Sequence, residues 1–239
     1  MENRIKLSVV IPTYNEAGNI ERLLLETSRI LKKAHVPHEF IIVDDGSYDE
    51  TRKIVRKLQE TMPEIVLVER DNERGLASAM IRGYNTARGR YFGSMDADLA
   101  HNPTYLLQMV NILDSRKADF VIGSRYVAEA RFEGKPILNR VASIIGQCAI
   151  KLILGINIKD TSNNYRIFRG EIWDKIKGNL HPDGNIMLTE IVYRAVGLGA
   201  IIREIPTIYV ERREGKSKLS VFKETRKFFK NILKIRFSK

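Results

Sequence analysis

Along the first half of the chain, short apolar runs alternate with stretches in which apolar residues recur every three to four positions. Leu7 to Ile11 is an apolar run stopped by Pro12, the pattern of a buried strand. Ile20 to Lys33 carries Ile20, Leu23, Leu24, Ile30 and Leu31 at helical spacing. Phe40 to Val43 is β-branched and aromatic and predicts a second strand. Ser47 and Glu50 have capping-box spacing for a helix over Asp49 to Glu60. Ile65 to Val68, Tyr91 to Met95 and Phe120 to Ile122 read as further strands, with helices over Gly75 to Ala87 and Tyr105 to Leu113 between them. Such alternation predicts an α/β fold, a mostly parallel central sheet flanked by helices.

After Gly123 the pattern loosens. Ile137 to Gly155 reads as an apolar helix, Asp160 to Phe168 as polar and then partly strand-like, Ile186 to Val196 as a helix, and Ile201 to Val210 as a strand. Leu219 to Phe237 reads as a basic helix. With no repeat or low-complexity linker, the expected organisation is one domain over 1–218 followed by an amphipathic helix over 219–239.

Composition changes this picture in three places. The 239 residues are 44% hydrophobic, enough for a substantial core. The one cysteine, Cys148, excludes an internal disulfide framework and suits a reducing compartment. A membrane span needs roughly 20 mostly apolar residues. The best stretch, Ile137 to Ile158, is interrupted by Asn139, Arg140, Gln147 and Lys151, and MENRIKLSVV lacks the form of a signal peptide. The expectation is a cytoplasmic protein without a transmembrane helix.

The net charge of +11 is concentrated in the tail: Lys216 to Lys239 holds nine basic residues and one acid, against 31 and 28 in the rest. There Val221, Phe222, Thr225, Phe228, Phe229, Ile232, Leu233 and Ile235 form an apolar stripe flanked by Lys223, Arg226, Lys227, Lys230, Lys234 and Arg236. Basic amphipathic helices of this kind lie at anionic membrane interfaces; docking on a small membrane protein is the alternative. Nucleic-acid binding fits poorly, because the aromatic residues share the apolar face.

Candidate chemistry gathers where strands end. Ligands of open α/β sheets sit at the carboxyl ends of the strands, and three polar clusters fall there: Thr13-Tyr14-Asn15-Glu16, Asp44-Asp45-Gly46-Ser47 and Asp96-Ala97-Asp98. A carboxylate beside Gly46 suits a ribose hydroxyl or a base edge, although Asp, Gly and Ser are also ordinary turn residues. Asp96 and Asp98, one residue apart on an extended segment, point to one side and suit Mg²⁺ or Mn²⁺, which take oxygen ligands. Helix capping by Asp98 or Asn102 is the alternative. Arg70, Arg74 and Arg82 flank Gly75 to Ala79, a loop able to approach an anion, and Arg125 follows the fifth strand.

In order, Pro12-Thr13-Tyr14-Asn15-Glu16, Asp44-Asp45-Gly46-Ser47, Arg74-Gly75-Leu76, Asp96-Ala97-Asp98-Leu99, Gly123-Ser124-Arg125-Tyr126, Asp160 to Arg166 and Glu211 to Lys218 resemble the inverting family 2 glycosyltransferases of GT-A fold. Within these, the chain looks like the dolichyl-phosphate mannosyltransferases and their polyprenyl-phosphate relatives. The resemblance implies that Pro12, Tyr14, Glu16, Asp44 and Asp45 hold the nucleotide, and that Asp96 and Asp98 bind the metal under the donor diphosphate. It implies phosphate contacts for Arg125 and Arg212, and a segment containing Ser217 and Lys218 that closes over the donor. Arg140, Ser143 and Arg166 would face the acceptor. The chain departs from the family pattern at Ala100, where Gln or Ser is usual, and at Asn163-Asn164, where the family has Ser-Gly.

The implied reaction moves a sugar, first mannose from GDP-mannose, to a dolichyl or polyprenyl phosphate with inversion. UDP-sugars remain open as donors. A phosphate acceptor is already ionised at neutral pH and needs no base. A hydroxyl acceptor needs one, for which Glu190 is the best candidate. A catalytically weak sugar-nucleotide binder is the non-enzyme alternative.

Overall fold

The computed structural model describes residues 5–133, 137–181, 184, 186–210 and 221–237, with side chains described except at 132–133, 137–143, 209–210 and 221–228. Arg212, Ser217 and Lys218 lie outside the described residues, and the side chains of Arg140 and Ser143 do as well.

The core is a seven-stranded sheet between two helical layers. Its strands are β1 (Leu7–Thr13), β2 (His38–Asp44), β3 (Ile65–Glu69), β4 (Tyr91–Ser94), β5 (Phe120–Ser124), β7 (Arg166–Arg169) and β8 (Ile202–Pro206), in the order β3-β2-β1-β4-β7-β5-β8. β6 (Arg131–Glu133) and β9 (Ile208–Val210) form a separate parallel pair. Both faces of β1 are buried: Leu7, Val9 and Ile11 pack toward one layer and Val10 toward the other. This explains why the strand reads as a continuous apolar run instead of an alternating one. On the first face lie α1 (Ile20–Lys33), α2 (Thr51–Gln59) and α4 (Tyr105–Asp114). On the second lie α3 (Leu76–Thr86), α5 (Ile137–Leu154), α6 (Gly170–Ile176), α7 (Ile186–Gly197) and α8 (Val221–Phe237).

Two topological facts position the site. Chain order reverses between β1 and β4, which makes a crevice at their carboxyl ends. Between β4 and β5 the sheet accepts β7 antiparallel, with Ser94 opposite Arg166. An antiparallel strand starts where its neighbours end, so residues 160–165 arrive at the carboxyl edge beside β4.

Several boundaries differ from the sequence reading. β1 runs through Pro12 to Thr13, because β4 pairs with β1 only from Leu7 to Val10 and leaves that side of Pro12 without a strand. The predicted Ile201–Val210 strand divides into β8 and β9. α6, with only seven residues, gave too short a pattern to recognise. The capping box is not formed: Ser47 turns back onto Asp44, and Asp49 accepts the Thr51 N–H at the start of α2.

α8 packs against α5 and α7, and its predicted apolar stripe is divided. Ile232 and Ile235 are buried in the second core, whereas Phe229, Leu233 and Phe237 are exposed. Among the described residues, no helix is long and apolar enough to cross a membrane.

Candidate active site

The loops after β1 and β2 are tied together at the sheet's carboxyl edge. Asn15 N–H donates to Ser47 Oγ at 2.9 Å, Glu16 N–H to Thr51 Oγ1 at 2.8 Å, Ala17 N–H to Asp49 at 3.1 Å and Tyr48 N–H to Asn15 Oδ1 at 3.0 Å. Asn15 takes a left-handed φ of 57°, which Asn tolerates better than most residues. This frame presents Tyr14 and Tyr48 to solvent, ring edge against ring face at 6.1 Å, with the Arg74 guanidinium 5.1 Å from the Tyr14 ring centre. In the sequence, the one signal for Tyr48 is an aromatic residue next to an Asp-Gly-Ser turn.

Asp44 and Asp45 behave differently from the expectation. Asp44 is fully buried and accepts hydrogen bonds from Thr13 Oγ1, Ser47 N–H, Ser47 Oγ and Arg52 Nε. Burial works to raise its pKa, but these donors outweigh it and hold the carboxyl below its usual range. With its oxygens engaged from within the protein, Asp44 braces the loop and is not placed to contact a ribose, which corrects the nucleotide-binding role expected for it. Asp45 bridges Arg70 Nη1 at 2.7 Å and the Gly75 N–H at 2.8 Å. Burial raises its pKa, and the Gly75 and Arg70 contacts offset this only in part. Gly75 has φ 122°, a conformation that admits glycine and thereby turns its N–H onto Asp45 at the start of α3.

Asp96 and Asp98 follow β4 and are partly buried. Asp96 Oδ1 accepts from Asn164 Nδ2 at 2.9 Å, and its Oδ2 lies 3.4 Å from His101 Nε2. Asp98 Oδ1 accepts the Ala100 N–H at 3.1 Å, and Leu99 between them has φ 60°. Ala100 is buried, and His101 stacks on Tyr165 with ring centres 4.7 Å apart. Among the described residues, no group of three His, Cys, Asp or Glu side chains could hold a metal ion. The oxygen donors at this strand end are the two carboxylates, with the Asn164 amide and the His101 imidazole beside Asp96. Two carboxylates fit Mg²⁺ or Mn²⁺, which are bound through one or two carboxylates with substrate phosphates completing the shell.

Arg125 reaches the same edge from β5. Asp160, fully buried, accepts its backbone N–H at 3.0 Å, Nε at 2.8 Å and Nη2 at 2.9 Å, which fixes the guanidinium. The sequence alone does not pair Asp160 with Arg125, because the two residues meet only across the β5–β7 junction.

Two further expectations need correction. Arg166 is fully buried, and its guanidinium donates to the carbonyls of Thr161, Asn163 and Leu188. Burial lowers its pKa to about 10. It shapes the 160–165 loop from beneath and does not face an acceptor. Glu190 is fully buried too, accepting from His181 N–H, His181 Nδ1 and two Arg194 nitrogens, so it is not placed to act as a base. A cavity of about 660 Å³ opens at the opposite edge, lined by Arg88, Arg90, Arg116 and Arg169 among others, away from all of these clusters.

Residues 8–177 match glycosyl transferase family 2. The dolichol-phosphate mannosyltransferase of Pyrococcus furiosus is 33% identical over 219 residues, covering 90% of this chain and 59% of that protein. The polyprenol monophosphomannose synthase of Mycolicibacterium smegmatis is 30% identical over 217 residues, covering 89% and 80%. Among solved structures, glucosyl-3-phosphoglycerate synthase from Mycobacterium tuberculosis, in complex with Mn²⁺, UDP and phosphoglyceric acid, superposes with a TM-score of 0.71. It is 18% identical, with 98% of this chain and 79% of that chain covered, a likeness of fold.

Proposed function

The chain belongs to glycosyl transferase family 2, and on that premise we propose that it transfers a sugar, mannose from GDP-mannose first, to a polyprenyl or dolichyl phosphate with inversion. The observation that carries this reading is the meeting of the Tyr14, Asp45, Asp96–Asp98 and Arg125 clusters at one sheet edge, in a chain whose relatives are named dolichol-phosphate mannosyltransferase and polyprenol monophosphomannose synthase. Because the chain spans 59% of the length of the first of these relatives, the substrates are inferred from a partial match.

In this reading Tyr14, with Pro12, Glu16 and Asp45, borders the nucleotide. Asp96 and Asp98 hold the divalent cation, Mg²⁺ or Mn²⁺. When bound, it neutralises charge on the departing nucleoside diphosphate as a Lewis acid. Arg125, braced by Asp160, supports the same charge electrostatically. Arg212 is assigned to a phosphate, Ser217 and Lys218 to closure over the donor, and Arg140 and Ser143 to the acceptor.

An acceptor phosphate oxygen attacks the anomeric carbon, and the bond from that carbon to the diphosphate breaks on the opposite face. The second pKa of a phosphate monoester is near about 6, so this nucleophile is ionised at neutral pH and needs no protein base. The full engagement of Glu190 agrees with a base-free transfer.

The exposed Phe229, Leu233 and Phe237, with Lys230, Lys234 and Arg236 on the same helix, suit the interface of an anionic membrane. We assign the protein to the cytoplasmic face of such a membrane, where a lipid phosphate would be presented.

The test is direct. Purified protein is mixed with polyprenyl phosphate in micelles, labelled GDP-mannose or UDP-sugars, and Mg²⁺ or Mn²⁺. Label is expected in the lipid fraction with GDP-mannose. Label from UDP-glucose alone would change the donor, and none from any donor would overturn the transfer.

A further inference from the structure

Asn164 carries a feature that the sheet does not explain. The residue is 4% exposed, its Nδ2 donates to Asp96 Oδ1 at 2.9 Å, and its Oδ1 is buried without a hydrogen-bond partner. A carboxylate only accepts, so the amide must turn its N–H toward Asp96, leaving its oxygen as the spare atom. A buried acceptor without a donor is costly, and native proteins keep few of them unless water or an ion answers them. Nitrogen and oxygen share one planar amide, so the spare oxygen stays within one side-chain width of the Asp96 carboxylate.

The residues around it hold this arrangement firmly. Ser94 Oγ donates to the Asn164 carbonyl at 2.5 Å; on one side Asn163 donates its Nδ2 to the Gly123 carbonyl and accepts Arg166 Nε at its own carbonyl, and on the other the Tyr165 hydroxyl donates to the Asn102 carbonyl. Asn164 thus stands at the start of β7 against the end of β4, and the antiparallel insertion of β7 fixes that distance. Nearby, two carboxylates leave a hard cation short of oxygen ligands, and the side chain of Ala100, further along the β4 loop, has none to give. His101 offers nitrogen, which magnesium and manganese accept less readily than a carbonyl oxygen.

We propose that Asn164 is part of the cation site of this protein: its N–H orients Asp96 and its side-chain oxygen supplies a neutral ligand to the divalent ion or to a water bound on it. This rests on the assignment of Asp96 and Asp98 to a cation. It goes further in naming a ligand from β7 that the Asp-Ala-Asp segment does not contain. The site is then built from two strands that run in opposite directions, and its assembly depends on the β4–β7 register.

The experiment reads metal binding apart from turnover. Mn²⁺ is titrated into the full-length protein and followed by electron paramagnetic resonance, for wild type, Asp98→Asn, Asn164→Ala and Asn164→Asp. Asn164→Ala is expected to weaken Mn²⁺ binding about 10–100-fold, the range for residues that orient or supplement metal ligands. Melting temperatures of the same proteins without metal provide the folding control. Asn164→Asp keeps an oxygen but sets a second negative charge against Asp96, so it should melt lower without metal and gain more from Mn²⁺ than wild type does.

Wild-type Mn²⁺ affinity in Asn164→Ala overturns the inference, as does an Asn164→Asp protein that Mn²⁺ fails to stabilise beyond wild type. If Asp98→Asn loses Mn²⁺ while Asn164→Ala does not, the inference fails and the Asp96–Asp98 assignment stands. If wild type binds no Mn²⁺, both fail, while sugar transfer to lipid is judged by its own assay.

Discussion

Asp44 ends β2 and Asp45 follows it, while Asp96 and Asp98 follow β4, with only β1 between the two strands. The first pair is buried and ringed by donors: Arg52, Thr13 and Ser47 around Asp44, Arg70 and the Gly75 N–H around Asp45. The second pair is half-open, held by an amide, a neighbouring imidazole and one turn N–H. Adjacent acids at a strand end therefore follow two designs. Where arginines close over the carboxylates, the acids tie loops together, and Asp45 does so at the border of the proposed nucleotide site. Where an amide, an imidazole and a turn N–H hold them, the carboxylates stay partly exposed at the sheet edge.

The contrast can be broken from either side. The largest effect is expected at Arg70, whose side chain is 4% exposed beside Asp45. Removing one partner of a buried ion pair leaves the other uncompensated, so Arg70→Ala should cost about 3–5 kcal/mol in urea unfolding. A loss below about 1 kcal/mol would mean that Asp45 is held by Gly75 alone.

Next is Asp98→Asn. A metal's stabilisation of transition-state charge is worth several kcal/mol, so turnover should fall about 10²–10³-fold in the lipid-transfer assay. Its unfolding free energy should move by no more than about 0.5 kcal/mol, as for other open positions. A large stability loss with intact turnover would reverse the roles given to the two pairs.

Glu190 is a third carboxylate of the closed type and serves as a control. Glu190→Gln weakens charged hydrogen bonds to Arg194 and His181 and should cost about 1.5–3 kcal/mol of stability. Turnover per folded molecule, from single-turnover kinetics, should stay at the wild-type level. A collapse of turnover with the fold intact would restore Glu190 as a base.

The smallest effect is a pH dependence. The Asp44 carboxyl titrates below its usual range in the fold, so its stabilisation is present above the unfolded pKa, about 4, and is lost as pH falls through the folded value. Asp45 has the opposite sign: its folded pKa is raised, so its contribution is present below about pH 4 and fades as pH rises through the folded value. Unfolding from pH 7 down to pH 3 should show Asp44→Asn flattening the acid-side loss. An unchanged slope would place the acid lability elsewhere.

Much of the sheet could be read from periodicity because β1, β2 and β5 are buried on both faces and leave long apolar runs. β7 shows only as a partly strand-like end to Asp160–Phe168, since its four residues Arg-Ile-Phe-Arg are too few to show a period, and its direction depends on its neighbours. The tail shows the same limit. Its residues scan as one apolar stripe, but packing against α5 and α7 buries Ile232 and Ile235 and leaves Phe229 and Leu233 outside.

The chain by itself determined the alternation of strand and helix, the acids at the strand ends and the family to which those motifs point. Each of these is a local pattern, fixed by residue spacing and by the chemistry of single side chains. Only the tertiary structure decided which acids are closed by arginine, that Arg166 and Glu190 are buried supports, and that Asn164 stands against Asp96. Those outcomes depend on strand order and on the register of an inserted antiparallel strand, which brings Asp96 and Asn164, 68 positions apart, into hydrogen-bond contact. Burial and pairing follow from that register, and no short stretch of sequence contains it.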